Sequence, residues 1–528
     1  MESRLKDDSI MKKQLLIFIP IAVVLLIAWN TARVSCFYML LMPDRPSLYY
    51  FMSGLTLLII ALAFIAAWFL VLKKRRGEEI KLERFFFICV LTLGVFYSMI
   101  LIPTCAPDEL QHFANAYCWS NVLLGQEPVD ENGNVYMREE DSIYYNQYTC
   151  TPEHYYMIYG QIFSSEENDV IVSSDQTTTE SSFLPYIPQI LGVTIGRLLH
   201  RSYAMTIYLA RMLNLLFFVI CVCFALRKMP FGKPVLFVIS VLPMTLHLSS
   251  SLSYDSFVMG IAMLFIASCM DAIFVKEKVT WKDMVLLTVL LGLLAPCKII
   301  YSFLAIMLFF IPREKFSSGG ARLISAVVVV AVMLICIYLF YFSSVFSFAV
   351  NDGSTLVWNG EAGYAVSDLI ADPLNTLQIL FNTLRVNFSY YWEIMIGSQM
   401  AELNMNVSHM FIYGLSALLF GAALLDEKRD HYFKNSHRIW MIIICIVVLF
   451  LAMLSMLVAW TPISYNYVTG MQGRYLLPTL PLLLLAMKNN KIKIGRNYEY
   501  VIYSAAVLIN ALILLQIATI GIVGTYFS

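Results

Sequence analysis

The sequence predicts an all-α membrane protein with about thirteen transmembrane helices, and three observations predict it. Hydrophobic residues fill 59% of the 528 positions and charged residues 14%, with a mean hydropathy of +0.71; soluble domains keep about a quarter of their residues charged. Apolar windows recur along the whole chain at close to the length of about 20 residues needed to cross about 30 Å of hydrocarbon. Lysines and arginines gather between alternate windows, as expected of a multi-pass protein with one basic face. The formal net charge is zero, so no basic excess points to nucleic acid.

The windows fall at 15–31, 49–72, 85–103, 203–226, 234–250, 256–275, 281–297, 298–311, 321–342, 406–425, 438–460, 474–487 and 499–523. The first follows Lys12-Lys13 without a small-residue cleavage site and is read as a retained span. The pair 281–297 and 298–311 is short and broken at Pro296-Cys297-Lys298, which suits a bent hairpin or two half-spans. Lys12-Lys13, Lys73 to Arg76, Arg227-Lys228 with Lys233, Lys276 with Lys278, Arg313 with Lys315, Lys428-Arg429 and Lys488 to Arg496 all fall on one side if the spans alternate. That requires Phe183 to Leu199 not to cross; with Pro185, Pro188, Gly192, Gly196 and Arg197 it reads as an interfacial helix. The N-terminus is then cytoplasmic, and two large segments lie outside, 104–202 and 343–404. Three regions follow: 1–84, with two spans and a basic loop; 85–490, the central module with both outer segments; and 491–528, with the last span. The inner loops are too short for a catalytic domain, so any chemistry lies at the outer face.

Ionisable residues gather at that face. Asp108, Glu109 and His112 follow the window 85–103, in Pro107-Asp108-Glu109-Leu110-Gln111-His112-Phe113. Adjacent carboxylates at the mouth of a span suit a base acting on a lipid-linked substrate better than a structural pair. Arg211 and Asn214 lie about two turns into the next span. Asp255 follows a serine-rich turn, Lys298 sits at the broken hairpin, Arg474-Tyr475 opens the window 474–487, and Arg385 and Glu393 come from the second outer segment. Acids beside lysine and arginine fit recognition of a phosphate next to a general base. Each residue also has a plainer reading: a helix-cap region for Asp255, snorkelling for Arg211, a solvated loop lysine for Lys298, an interfacial anchor for Arg474, and positioning or packing for His112.

Eleven cysteines show no metal-ligand spacing, and most lie inside apolar runs; Cys118 and Cys150 in the first outer segment are open to a bridge. There is no GxGxxG, P-loop or two-metal cluster. No cofactor is required, although a divalent metal ion near Asp108 stays open.

Pro107-Asp108-Glu109-x-x-His112-Phe113, Ser253-Tyr254-Asp255, Lys298 before Ile311-Pro312, and Gln472-Gly473-Arg474-Tyr475-Leu476-Leu477-Pro478 together resemble a family of bacterial multi-pass proteins, domain of unknown function 2142, grouped with the GT-C glycosyltransferases. The resemblance covers residues 85–490. It implies a GT-C-like fold with interfacial helices in a large first outer loop, in a bacterial plasma (inner) membrane. It also implies a polyprenyl-phosphate-linked sugar donor, a glycan or lipid acceptor of the cell envelope, and a catalytic acid in that loop. Asp108 is then the general base, with Glu109 second choice, and Arg211, Lys298 and Arg474 are candidates for the donor phosphate. Leu110 and Leu184-Pro185 depart from the family pattern and leave the substrate open, and the two N-terminal spans lie outside the shared core. Two other classes are a transporter or flippase of lipid-linked glycans and a non-catalytic envelope assembly protein.

Overall fold

A computed structural model describes residues 81–165, 170–179, 182–350, 357–427, 433–489 and 491–523, together with isolated positions 54, 58 and 66. The expected span 15–31, all but those three positions of 49–72, and the basic pairs Lys12-Lys13 and Lys428-Arg429 and cluster Lys73 to Arg76 lie outside the described residues.

The chain is built from helices. In order they are α1 (Leu82–Ile100), α2 (Glu109–Leu123), α3 (Glu139–Ile143), α4 (Pro152–Gln161), α5 (Ile187–Leu198), α6 (Tyr203–Lys228), α7 (Lys233–Ser240), α8 (Pro243–Ser249) and α9 (Asp255–Phe274). There follow α10 (Trp281–Leu294), a 3₁₀ helix at Ile299–Phe310, α11 (Gly319–Val350), α12 (Val366–Ala371) and α13 (Pro373–Ile396). The last are α14 (His409–Ala423), α15 (Asn435–Trp460), a 3₁₀ turn at Gly473–Leu476, α16 (Leu480–Met487) and α17 (Glu499–Val523). Two antiparallel ribbons complete the described residues: β1 (Asn134–Arg138) pairs with β2 (Ile171–Thr177), setting Arg138 opposite Ile171, and β3 (Gln399–Met400) pairs with β4 (Met405–Asn406).

Six of these helices are long and apolar enough to cross a membrane: α1, α6, α9, α11, α15 and α17. Two of the thirteen expected windows lie, but for those three isolated positions, outside the described residues, and several of the others fold as short or broken pieces. Window 234–250 divides at Val241-Leu242 into α7 and α8, since Pro243 cannot donate to the preceding turn. The Val241 carbonyl left at that break accepts from Asn510 of α17, whose Oδ1 accepts from Tyr97 of α1 3.1 Å away. That bond satisfies a backbone group that an apolar surrounding would otherwise leave unpaired. Window 298–311 is a 3₁₀ helix, and α14 has only 15 residues.

Local chemistry starts several elements. Thr280 and Asp283 close a capping box on α10. Ser202 caps α6 through the Met205 N–H, and Asp372 caps α13 ahead of Pro373 at its first position. Helix α5 is 12 residues long, about 18 Å, and packs antiparallel along the first half of α6. Gly192 meets the Ala210 backbone and Gly196 meets Thr206, where a Cβ would overlap. Its outward face carries Ile187, Leu191, Ile195 and Leu198, all exposed.

The helices place two sets of loops at opposite ends. At one end Lys228 pairs with Asp271 at 3.1 Å, and Lys315 donates to the carbonyls of Ala272, Ile273 and Lys276. Glu427 there accepts from the Gly232 N–H and pairs with Lys488 at 3.0 Å. At the other end the segment 104–202 folds over the helices. Buried Arg138 pairs with Asp141 at 2.7 Å and donates to the Arg201 carbonyl, tying β1 to the start of α6.

Candidate functional site

Between α1 and α2 the chain turns through Leu101 to Asp108, with Thr104 and Asp108 both in the left-handed region at φ 60°. For a residue with a Cβ this conformation costs roughly 1–2 kcal/mol, so the surroundings must hold it. Thr104 Oγ1 donates to the Asn146 carbonyl at 2.6 Å. Asp108 occupies the N-cap position of α2, yet its carboxylate makes no cap hydrogen bond, unlike the usual aspartate there. The side chain is 63% exposed, and its Oδ2 accepts from Arg474 at 2.9 Å.

Glu109, the next residue, turns the other way. Its side chain is 0% exposed, and its two oxygens lie 2.7 and 2.6 Å from Nε and Nη2 of Arg211. The same carboxylate accepts from the N–H groups of Leu252 and Ala106. Arg211 spends its remaining N–H groups on the carbonyls of Ser98, Leu101 and Ile102, the groups that a helix C-terminus leaves without intrahelical partners. This sealed pair joins the end of α1, the start of α2, the middle of α6 and the turn before α9. It has no open face: Glu109, expected as second choice of base, and Arg211, expected as a phosphate ligand, are committed to each other and to backbone groups.

Asp255 opens α9, with its N–H donating to Ser253 Oγ. Its carboxylate does not cap the helix. Oδ1 lies 2.7 Å from Lys298 Nζ, and Oδ2 lies 3.7 Å from Arg474 Nε. Lys298 stands at the break between α10 and the 3₁₀ helix, with its ammonium over the rings of Tyr475 (4.4 Å) and Tyr254 (4.9 Å), a favourable arrangement for a cation. Arg474 reaches the cluster because Gly473 lets the 3₁₀ turn press against the Tyr391 carbonyl of α13, where any Cβ would collide. Tyr301 fixes the next residue by donating to the Tyr475 carbonyl at 2.8 Å. Asp108, Arg474, Asp255 and Lys298 thus form one alternating chain of charges drawn from four parts of the sequence.

His112 lies one turn beyond Asp108, buried against Tyr254 edge-to-face at 5.1 Å. Its Nδ1 is 2.9 Å from the Tyr186 hydroxyl, and Asn115 donates to the same oxygen. Burial pushes the imidazole down to about 4, against the upward pull of Asp108 and Asp255, so it is neutral at ordinary pH. His112 therefore braces the tyrosines that line the cluster. Arg385 is not brought in; it is exposed on α13. Glu393 faces His409 at 3.4 Å, away from the cluster. Sequence reasoning missed Tyr186, Gln147 and Glu402. Gln147 and Glu402 share a hydrogen bond that joins the two outer segments, a contact with no local signal because 255 positions separate them.

Among the described residues no group of three or more His, Cys, Asp or Glu side chains is placed to hold a metal ion. Asp108 and Asp255 face the cations Arg474 and Lys298.

This geometry defines a multi-pass helical membrane protein with an ion-paired cluster at one end. The chain belongs to the predicted membrane protein family DUF2142, whose model matches residues 89–483, about three quarters of the sequence. The match includes every residue of the cluster. No curated protein and no solved structure matches the chain.

Proposed function

We propose that the cluster is the active site of a GT-C-like glycosyltransferase. It would move a sugar from a polyprenyl-phosphate donor to a glycan or lipid acceptor of the cell envelope, at the outer face of a bacterial plasma membrane with the N-terminus cytoplasmic. The observation that carries this reading is Asp108. It is an exposed carboxylate in a strained conformation, uncommitted to helix capping and held by one oxygen against Arg474. Strain that persists in a supported loop marks a functional position.

In this mechanism the open oxygen of Asp108 takes the proton of the acceptor hydroxyl. The acceptor oxygen bonds to the anomeric carbon as the bond from that carbon to the phosphate oxygen breaks. Lys298 and Arg474 hold the departing phosphate, competing for it with Asp255, which keeps both cations placed before the donor arrives. Tyr254, Tyr475 and Tyr186 wall the site, and the prenyl chain stays in the bilayer, so much of the acceleration comes from orientation.

The test uses purified protein in lipid with a panel of polyprenyl-phosphate sugars and mass spectrometry of lipid and acceptor. Asp108→Asn is expected to lower transfer by about 10²- to 10⁴-fold with an unchanged unfolding midpoint, because the side chain is exposed. Undiminished transfer by Asp108→Asn, or no transfer by wild type with any donor, would overturn the reading.

A further inference from the structure

Two thiols lie beneath the Asp108 loop. Cys105, three residues before Asp108, is fully buried, and Cys150, just before α4, is 9% exposed. Each is a near neighbour of the other, and both are free thiols. Cys150 Sγ also lies 3.7 Å from the Ile100 carbonyl, and Tyr155 donates to the same carbonyl at 2.5 Å. Both sulfurs therefore sit at the end of α1, where the chain leaves the helix for the left-handed residues Thr104 and Asp108. Cys118, which the sequence left open to a bridge with Cys150, lies on α2 and is half-buried.

We propose that Cys105 and Cys150 form a disulfide that staples the Asp108 loop to the first outer segment. Two backbone positions in this loop are strained, and such conformations persist only where their surroundings over-determine them. A covalent tie from Cys105 to the start of α4 adds a constraint that hydrogen bonds from Thr104 and Glu109 supply only in part. The inference rests on the loop facing the outer compartment, where disulfides form and persist. The oxidant is a disulfide-bearing oxidoreductase of that compartment. One cysteine thiolate attacks its disulfide to give a mixed disulfide, and the second thiolate displaces the oxidant as a dithiol. Two protons and two electrons leave the pair, and one S–S bond forms. Oxidation precedes burial, since the finished fold encloses both sulfurs.

The experiment counts thiols in the full-length protein, extracted from membranes with an alkylating agent already present and denatured before intact-mass analysis. The chain has eleven cysteines. Without reductant two fewer adducts than cysteines are expected, and after reduction one adduct per cysteine. Digestion of the unreduced sample should yield a linked pair of peptides holding Cys105 and Cys150. A full complement of adducts without reductant, or a link joining either cysteine to another partner, would overturn the proposal. Labelling of Asp175→Cys by a membrane-impermeant maleimide in intact cells locates the segment independently. Free thiols on an outward segment would sink the disulfide alone, whereas an inward segment would remove the outer-face assignment as well.

Discussion

Asp108 and Glu109 are adjacent carboxylates with opposite surroundings, and the left-handed turn at Asp108 is what separates them. One points into open space beside Arg474, while the other is sealed against Arg211. A buried charge left without its partner destabilises a fold by about 3–5 kcal/mol, whereas replacing both members by apolar groups of similar size can be neutral. Arg211→Met should therefore sharply lower the yield of folded protein and its unfolding midpoint, by leaving Glu109 charged and unpaired. The double variant Arg211→Met with Glu109→Leu should recover part of the loss. Asp108→Asn should leave the midpoint alone, and thermal unfolding in detergent reads all three. Equal damage from Asp108→Asn and Arg211→Met would contradict the division of roles. The sequence drew attention to this acid pair but could not divide it. The division depends on one backbone dihedral and on a partner 102 residues away, and neither leaves a trace in local spacing. Lys298, Asp255 and Arg474 were legible singly, as ionisable residues at the ends of apolar windows. Their mutual pairing was not, because each lies on a different element.

At the scale of elements, close approach at glycine decides whether the cluster assembles. Gly473 packs beneath the Tyr391 carbonyl of α13, and its neighbour Arg474 thereby reaches both Asp108 and Asp255. Gly473→Ala forces the 3₁₀ turn and α13 apart; overpacking of this kind costs about 1–3 kcal/mol. The expected outcome is a modest fall in unfolding midpoint with sugar transfer reduced at least as far as in Arg474→Gln, since both variants take the guanidinium from its place. Transfer at the wild-type level in Gly473→Ala would show that this packing does not set the position of Arg474. The Gly-Arg-Tyr motif was readable as a unit, but its reason was not, because the carbonyl that needs the glycine comes from another helix. Element boundaries failed for a related cause. An apolar window shows that a segment is shielded from water, not that it is one continuous helix: Pro243 divides the window 234–250 that hydropathy counts as whole, whereas the break at Lys298 was readable from Pro296-Cys297-Lys298.

At the scale of the molecule, the six long helices and the shorter paired segments carry the loops to two ends of different character. One end gathers Lys228, Lys276, Lys315, Lys488 and Lys493, paired mainly with nearby carboxylates and carbonyls; the other holds the outer segments and the charge cluster. This separation was the most legible feature of the sequence, because it needs only the alternation of basic loops, which survives errors in the count of spans as long as they come in pairs. The pair formed by α10 and its following 3₁₀ helix is such a case: each piece is short, yet together they bring Lys315 back to the carbonyls of Ala272, Ile273 and Lys276. Basic loops stay cytoplasmic in multi-pass proteins, which makes the orientation testable without substrate. Asp175→Cys on exposed β2 and Lys278→Cys in the exposed loop after α9 report the two ends. With wild type as the blank for native thiols, an impermeant maleimide should label the Asp175 variant in intact cells and the Lys278 variant only after permeabilisation. The reverse pattern would put the Asp108 cluster in the cytoplasm. It would then face the compartment where nucleotide-activated sugars are made rather than the one that receives lipid-linked donors, and the proposed donor would have to be abandoned even with the geometry of the cluster unchanged.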